Sequence, residues 1–306
     1  MSTSLTKKVH AVVLSVATAA SLTACTIDRQ EDGARTTPAA TNTQIPANQA
    51  QNASPAQAPA QPAPPAPTAP ATPAAQPAQS GADLNSIAAQ VQAQTGTQVG
   101  IAVNGQAAGT LKTGPAWSTS KVPLSIAALR ANPNNAAIVD QAIRSSDNAS
   151  AEQLWESLGG GAQAAAAVQG VIAEGGDTQT VVQSQKVRPE FSAFGQTVWS
   201  LANQSTFASN LANIPGSDQV LQDMAAIAPD QAYGLGQIPG TRFKGGWGPN
   251  PAGAYLVRQL GIVNTPCGPR GVAIAAQPAS GTYASGQQAL NALASALSAH
   301  MTDVCR

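Results

Sequence analysis

Histidine is nearly missing from this 306-residue chain; the two that occur are His10 and His300. A triad that passes its proton through imidazole has no residue to use, and no Cys/His spacing suits zinc. No metal site and no cofactor is therefore expected. Charge is sparse as well: fifteen Lys and Arg offset fifteen Asp and Glu, net +0, with 10% charged residues overall. That leaves no basic stripe for a phosphate backbone, so nucleic acid is not an expected partner. Beyond the first 25 residues no apolar run approaches the ~20 residues of a membrane-spanning helix.

What is present divides the chain in three. Residues 1–25 read as an export signal, with Lys7 and Lys8 followed by a short apolar run from Val9 to Leu22. The run ends in Leu22-Thr23-Ala24-Cys25, which resembles a bacterial lipobox and makes Cys25 the lipidation candidate; the alternative is an ordinary signal peptide with an incidental Cys. Residues 26–82 form an Ala/Pro/Gln-rich linker. It lacks aromatics from Arg35 to Ser80 and cannot bury enough surface to offset its ordering entropy. In extended polyproline II geometry, at ~3.1 Å per residue, the roughly 45 residues from Arg35 to Ser80 would reach at most about 140 Å. Residues 83–306 are long enough for one domain with a real core. The expectation is a monomer, exported and held by its N-terminal lipid on the outer face of the cytoplasmic membrane, facing the cell wall.

Within that domain the pattern is ordered. Leu84–Gln94 reads as an amphipathic helix; Val99–Val103 and Gln106–Leu111 as strands joined at Asn104-Gly105. Val122–Leu129 is apolar all round, as a buried helix would be. Ala149–Leu158, Ala162–Ala173, Phe207–Ala212 and Ser217–Ile227 read as helical. Phe243–Trp247, Ala254–Gln259 and Gly271–Ala276 read as strands, and Gly286–His300 as a closing helix. The fold expected is α+β: an antiparallel sheet from both chain ends, flanked by helices, with an all-helical lobe inserted.

Three short motifs carry the chemistry. Ser118-Thr119-Ser120-Lys121 places a hydroxyl and an amine three residues apart, which a helix brings to one face. A buried lysine can lose its proton and activate such a serine. The bland alternative makes Ser118 a helix N-cap. Ser146-Asp147-Asn148 begins 28 positions after Ser118, and Lys244-Gly245-Gly246 begins 98 after Ser146. In that chain order the three resemble the S-x-x-K, S-D-N and K-[T/S]-G signature of class A β-lactamases and penicillin-binding proteins. The resemblance covers residues 83–306 and implies the same fold, with a trimmed helical lobe because the first gap is short.

The resemblance also implies roles. Ser118 is the nucleophile, Lys121 its base, and Ser146 the relay to a leaving nitrogen. Asn148 donates to a substrate amide, and Lys244 supplies positive potential for a substrate carboxylate. The N–H groups of Ser118 and Trp247 form the oxyanion hole, with Gly246 beside them. Asp147 is read as a helix N-cap. Burial and Lys244 together are expected to depress the pKa of Lys121. The substrate implied is a small molecule or a peptidoglycan-type amide.

The chain departs from the pattern in several places. Gly245 stands where a Thr or Ser hydroxyl belongs, and Trp247 is bulky beside the oxyanion position. No E-x-x-L-N motif lies between Asn148 and Lys244, which leaves Glu190 as the one candidate water activator in the loop from Asp177 to Gln196. Cys267 and Cys305 are expected to pair in an exported domain, closing 38 residues for about 4 kcal/mol. Two readings follow: a serine hydrolase acylated on Ser118 with slow deacylation, or a cell-wall binding module that keeps the fold and has lost efficient catalysis.

Overall fold

The computed structural model describes residues 81–302. The signal, Cys25, nearly all of the linker and Cys305 lie outside the described residues. Helix α1 (Gly81–Thr95) leads into β1 (Thr97–Val103) and β2 (Gln106–Gly109). Their connection is the expected tight hairpin: Asn104 and Gly105 take φ of +46° and +86°, the left-handed pair that a two-residue turn needs.

A second, two-stranded sheet then frames the nucleophile. β3 (Thr113–Pro115) runs into a 3-10 turn (Trp117–Ser120) and directly into α2 (Lys121–Ala131). Helices α3 (Ala136–Arg144), α4 (Asn148–Ser157) and α5 (Gly161–Glu174) complete the lobe. After a long loop, β4 (Val198–Ser200) pairs antiparallel with β3. Helices α6 (Leu201–Asn210) and α7 (Asp218–Met224) lead to β5 (Arg242–Pro249), β6 (Tyr255–Thr265), β7 (Gly268–Pro278) and α8 (Tyr283–Ala299).

The main sheet has the order β2-β1-β7-β6-β5, antiparallel throughout. Thr97 lies opposite Pro278 and Val103 opposite Val272, so strands from both chain ends meet at its centre. Helices α1 and α8 cover one face, burying Leu84, Ile87, Val91, Leu290, Leu293 and Leu297 against Ile101 and Ile274. In the lobe, α2 is the central helix. Its Val122, Leu124 and Ile126 are fully buried among Val139, Ile143, Leu154 and Val168, which is why the sequence is apolar on every side there. The expected α+β order therefore stands.

Three elements are longer than expected: β6 and β7 are each 11 residues, paired out to a tight connection at Thr265 and Gly268, and α6 starts six residues earlier than its apolar pattern. In β6 and α6 polar side chains are buried because they have partners. Gln259, inside β6, accepts from Leu235 N at 2.7 Å and donates to Tyr233 O at 2.8 Å. Gln204, in the first turns of α6, donates to Thr119 Oγ1 and accepts from Arg258. A hydrophobicity pattern treats such residues as surface. The start of α6 did carry a signal: Ser200 caps it, accepting from Asn203 N at 3.1 Å.

Candidate active site

The three motifs converge. Ser118 lies in the 3-10 turn, and Lys121 is the first residue of α2 behind it. Ser118 is therefore not the N-cap of α2; Ser120 holds that position, without a side-chain cap. The turn is held at some conformational cost. Trp117 has φ +50° and Ser146 φ +57°, two of the three non-glycine residues with positive φ among the described residues. Each such placement costs on the order of 1–3 kcal/mol and marks a segment that its surroundings hold fast.

Lys121 is 1% exposed. Its Nζ donates to Ser146 O at 2.5 Å, Asp147 O at 3.1 Å and Asn148 Oδ1 at 2.8 Å. It thus ties the S-x-x-K turn to the S-D-N segment. Three donors are the full complement of an ammonium. Burial nevertheless pulls its pKa down to about 7, against the opposing pull of the Asp147 and Glu152 carboxylates. At neutral pH the charged and neutral forms coexist, and the neutral amine frees a lone pair.

Lys244, on the edge strand β5, is wholly buried; its Nζ donates to Ser146 Oγ at 2.8 Å and to Gly245 O at 3.0 Å. Burial, and second the charge of Lys121, push it well below the ordinary lysine range. This corrects the expectation that Lys244 depresses Lys121: burial does that, and the repulsion is felt at Lys244 instead. The lowered pKa weakens the hold of Lys244 on its proton, and a carboxylate ligand brought beside it would strengthen that hold.

Asp147 caps α4 as expected, accepting from Ser150 N at 2.6 Å, and that bond holds its carboxyl below the usual range. Gly246 packs against the nucleophile's turn. A Cβ there would stand 2.8 Å from Ser118 N and 2.9 Å from both Ala116 O and Thr119 N. Only a residue without a side chain lets the β5 edge approach the Ser118 amide this closely. Gly245 leaves room in which a Cβ would meet Tyr233 Oη at 3.4 Å. Tyr233 Oη in turn lies 3.2 Å from Tyr283 Oη, so a tyrosine hydroxyl borders the place where the motif's own is missing.

Ser118, Asn148, Glu190 and Trp247 line one cavity of about 390 Å³, together with Trp117, Glu152, Phe191 and Tyr255. Trp247 stacks on Tyr283 with ring centroids 5.1 Å apart. Glu190 is on the rim, exposed and paired with Arg188 at 2.9 Å. Glu152 was not singled out in the sequence, although it sits four residues after Asn148 on the same helix. It pairs with Lys186 at 3.2 Å and has a side chain 29% exposed. Because its charge favours the ammonium form of Lys121, Glu152→Gln is expected to move the pH midpoint of Ser118 labelling by an acylating probe to lower pH. An unchanged or higher midpoint in a stopped-flow titration would contradict the coupling.

A second unanticipated residue is Arg258, on β6 opposite Gly246. It is 1% exposed, and its pKa is pushed down to about 9 by burial. Its guanidinium donates to Gly114 O, Pro115 O, Trp199 O and Gln204 Oε1, at 2.7–3.1 Å. It thereby clamps β3, β4 and α6 beneath the nucleophile's turn. A lone Arg in a strand gives no sequence cue for this. The loop above the cavity is also anchored: Asp177 accepts from Gln179 N, Thr180 N and Trp199 Nε1, and Arg188 Nη1 donates to Pro249 O.

Comparison with solved structures places this fold. A class A β-lactamase from Bacteroides cellulosilyticus superposes with a TM-score of 0.58 at 14% identity, over 73% of this chain and 98% of that one. The TLA-3 extended-spectrum β-lactamase gives 0.57 at 14% identity, over 73% and 100%. A β-lactamase from Streptosporangium roseum gives 0.57 at 13%, over 73% and 100%. No protein-family model and no curated protein matches the chain.

Proposed function

We propose that this chain, whose fold is that of the class A β-lactamases, is a serine acyl hydrolase acting through Ser118. The observation that carries the reading is the placement of Ser118 on a cavity, three residues before a buried lysine with a pKa of about 7. In its neutral form Lys121 takes the Ser118 proton as Oγ adds to an amide or ester carbonyl. The developing oxyanion is met by the Ser118 N–H, with Trp247 N–H on the neighbouring strand edge as its partner. Ser146 Oγ, held by Lys244 Nζ, returns a proton to the leaving group, and water later releases the acyl group. With Glu190 ion-paired on the rim, that release is slow.

Mass spectrometry of the full chain after treatment with a fluorescent penicillin and with a fluorophosphonate tests this. An adduct on Ser118 with either is expected, and its decay reports deacylation. A folded protein that never labels on Ser118 would remove the hydrolase reading. A second reading, a cell-wall binding module, is favoured by one observation: all three Lys121 donors already have acceptors, and among the described residues none of these is Ser118.

We place the protein, as a monomer, on the outer face of the cytoplasmic membrane, anchored through lipid on Cys25, with a small-molecule or peptidoglycan-type substrate and a Cys267–Cys305 disulfide. Cys25→Ala is expected to shift the protein from the detergent phase to the aqueous phase in a partition assay. Unchanged partition would refute the anchor.

A further inference from the structure

A second hollow adjoins the Ser118 cavity on the far side of Trp117. It measures about 520 Å³ and shares Trp117, Gly248 and Pro249 with the first. Its remaining walls include Leu111, Pro115, Val187, Val198 and Leu256. Among the described residues the exposed large hydrophobic side chains are Val181, Val187 and Val198, and Val187 and Val198 flank this hollow at 69% and 63% exposure. An apolar surface left open to water in this way is most often a binding surface, and the volume and lining are those of a ligand site.

The partition between the two hollows is built with care. The Trp117 ring lies against Gly248, where a Cβ would come within 2.5–2.6 Å of it. Phe191 meets its edge at 5.0 Å, and the Arg188 guanidinium covers Phe191 at 4.4 Å. The two hollows are thus separated by a single shared wall of Trp117, Gly248 and Pro249, which puts the apolar side next to a carbonyl bound at Ser118.

We propose that this groove is the acyl-chain subsite of the Ser118 hydrolase, and that the substrate class is carboxylic esters with an unbranched aliphatic acyl chain. The proposal rests on the reading of Ser118 as nucleophile. Its exposed lining is mostly apolar, from Leu111, Pro115, Trp117, Val187, Val198 and Leu256, with polar side chains such as Gln183 and Asn250 among them, which suits a flexible alkyl chain. In the reaction, Ser118 Oγ bonds to the acyl carbon, the carbon–alkoxide bond breaks, and the Ser118 proton leaves with the alcohol through Lys121. Water then cleaves the acyl–Ser118 ester, giving the free acid.

The test is hydrolysis by the full chain of p-nitrophenyl esters from acetate to decanoate. kcat/KM is expected to rise with chain length by up to about fourfold per methylene, the equivalent of ~0.8 kcal/mol. Val187→Asp and Val198→Asp should flatten that slope. Val181→Asp, outside the groove, should keep it. A flat slope in the natural chain overturns the proposal, as does a slope indifferent to both groove variants. Submicellar decanoate binding to Ser118→Ala, followed by calorimetry, separates the two readings. If no ester or probe acylates Ser118 but decanoate binds and Val198→Asp weakens it, the groove stands and the hydrolase falls. If decanoate does not bind, or binds regardless of the valines, the groove falls. Vesicle binding lost in Val198→Asp, with a flat ester slope, would make the patch a lipid-surface contact and also overturn it.

Discussion

Ser118→Ala and Lys121→Ala are expected to abolish labelling by penicillin and fluorophosphonate to a similar extent. Each should lower the acylation rate by about 10^4-fold or more, because a nucleophile and its base act as one unit. For the natural chain the same rate should rise with pH through about 7. The neutral amine is the active form, and its population grows above the Lys121 pKa of about 7. The two variants need separate checks of folding. Lys121→Ala removes three hydrogen bonds between the first and second motifs and leaves Ser146 O, Asp147 O and Asn148 Oδ1 to find other donors. Ser118→Ala removes one hydroxyl on the cavity wall. Circular dichroism and a thermal melt therefore accompany the kinetics. If Lys121→Ala keeps its fold and labels at the natural rate, lysine is not the base.

Gly246→Ala is expected to have the next largest effect. The added methyl would press on Ser118 N, Ala116 O and Thr119 N, at 2.8–2.9 Å. All three are backbone atoms, so no side-chain rotation relieves the contact. Either β5 or the 3-10 turn must move, and the Ser118 amide moves with it. Loss of one well-placed oxyanion donor costs about 10^2–10^3 in rate, and overpacking of this kind costs about 1–3 kcal/mol in stability. The expected pattern is a folded protein with a somewhat lower melting temperature and acylation slowed by that factor. Acylation at the natural rate would mean that this strand edge does not set the oxyanion site.

The residues of the candidate site divide by how far their placement could be read in advance. Ser118, Lys121, Ser146 and Asn148 were legible because their spacing is local to two short turns, and a turn is specified by its own few residues. Asp147 was legible for the same reason. Arg258 and Gln204 were not. Their importance comes from contacts 54 to 144 positions away, from Arg258 to Gln204 and to Gly114, and a polar residue in an apolar strand gives no hint of its partners. Glu152 lay between: its four-residue offset from Asn148 places it on the same helix face, and only the cavity shows that the face matters. The protonation states were the least legible. How far each lysine's pKa falls depends on burial, and that burial is set by elements distant in sequence.

The pairing of Thr97 with Pro278 also governs the order in which the protein can assemble. β1 cannot join β7 until some 180 residues between them have been made, and the edge strand that completes the site docks onto β6 on the same late schedule. Contacts this distant in sequence slow folding, because the loop must close before they return any energy. The helical lobe, whose contacts are local, can form first and join Lys121 to the Ser146–Asn148 segment, but the turn that carries Ser118 lacks the Gly246 edge until β5 arrives. Under the proposed export, such a plan keeps the incomplete chain threadable, and no assembled nucleophile is held until the last strands have been delivered.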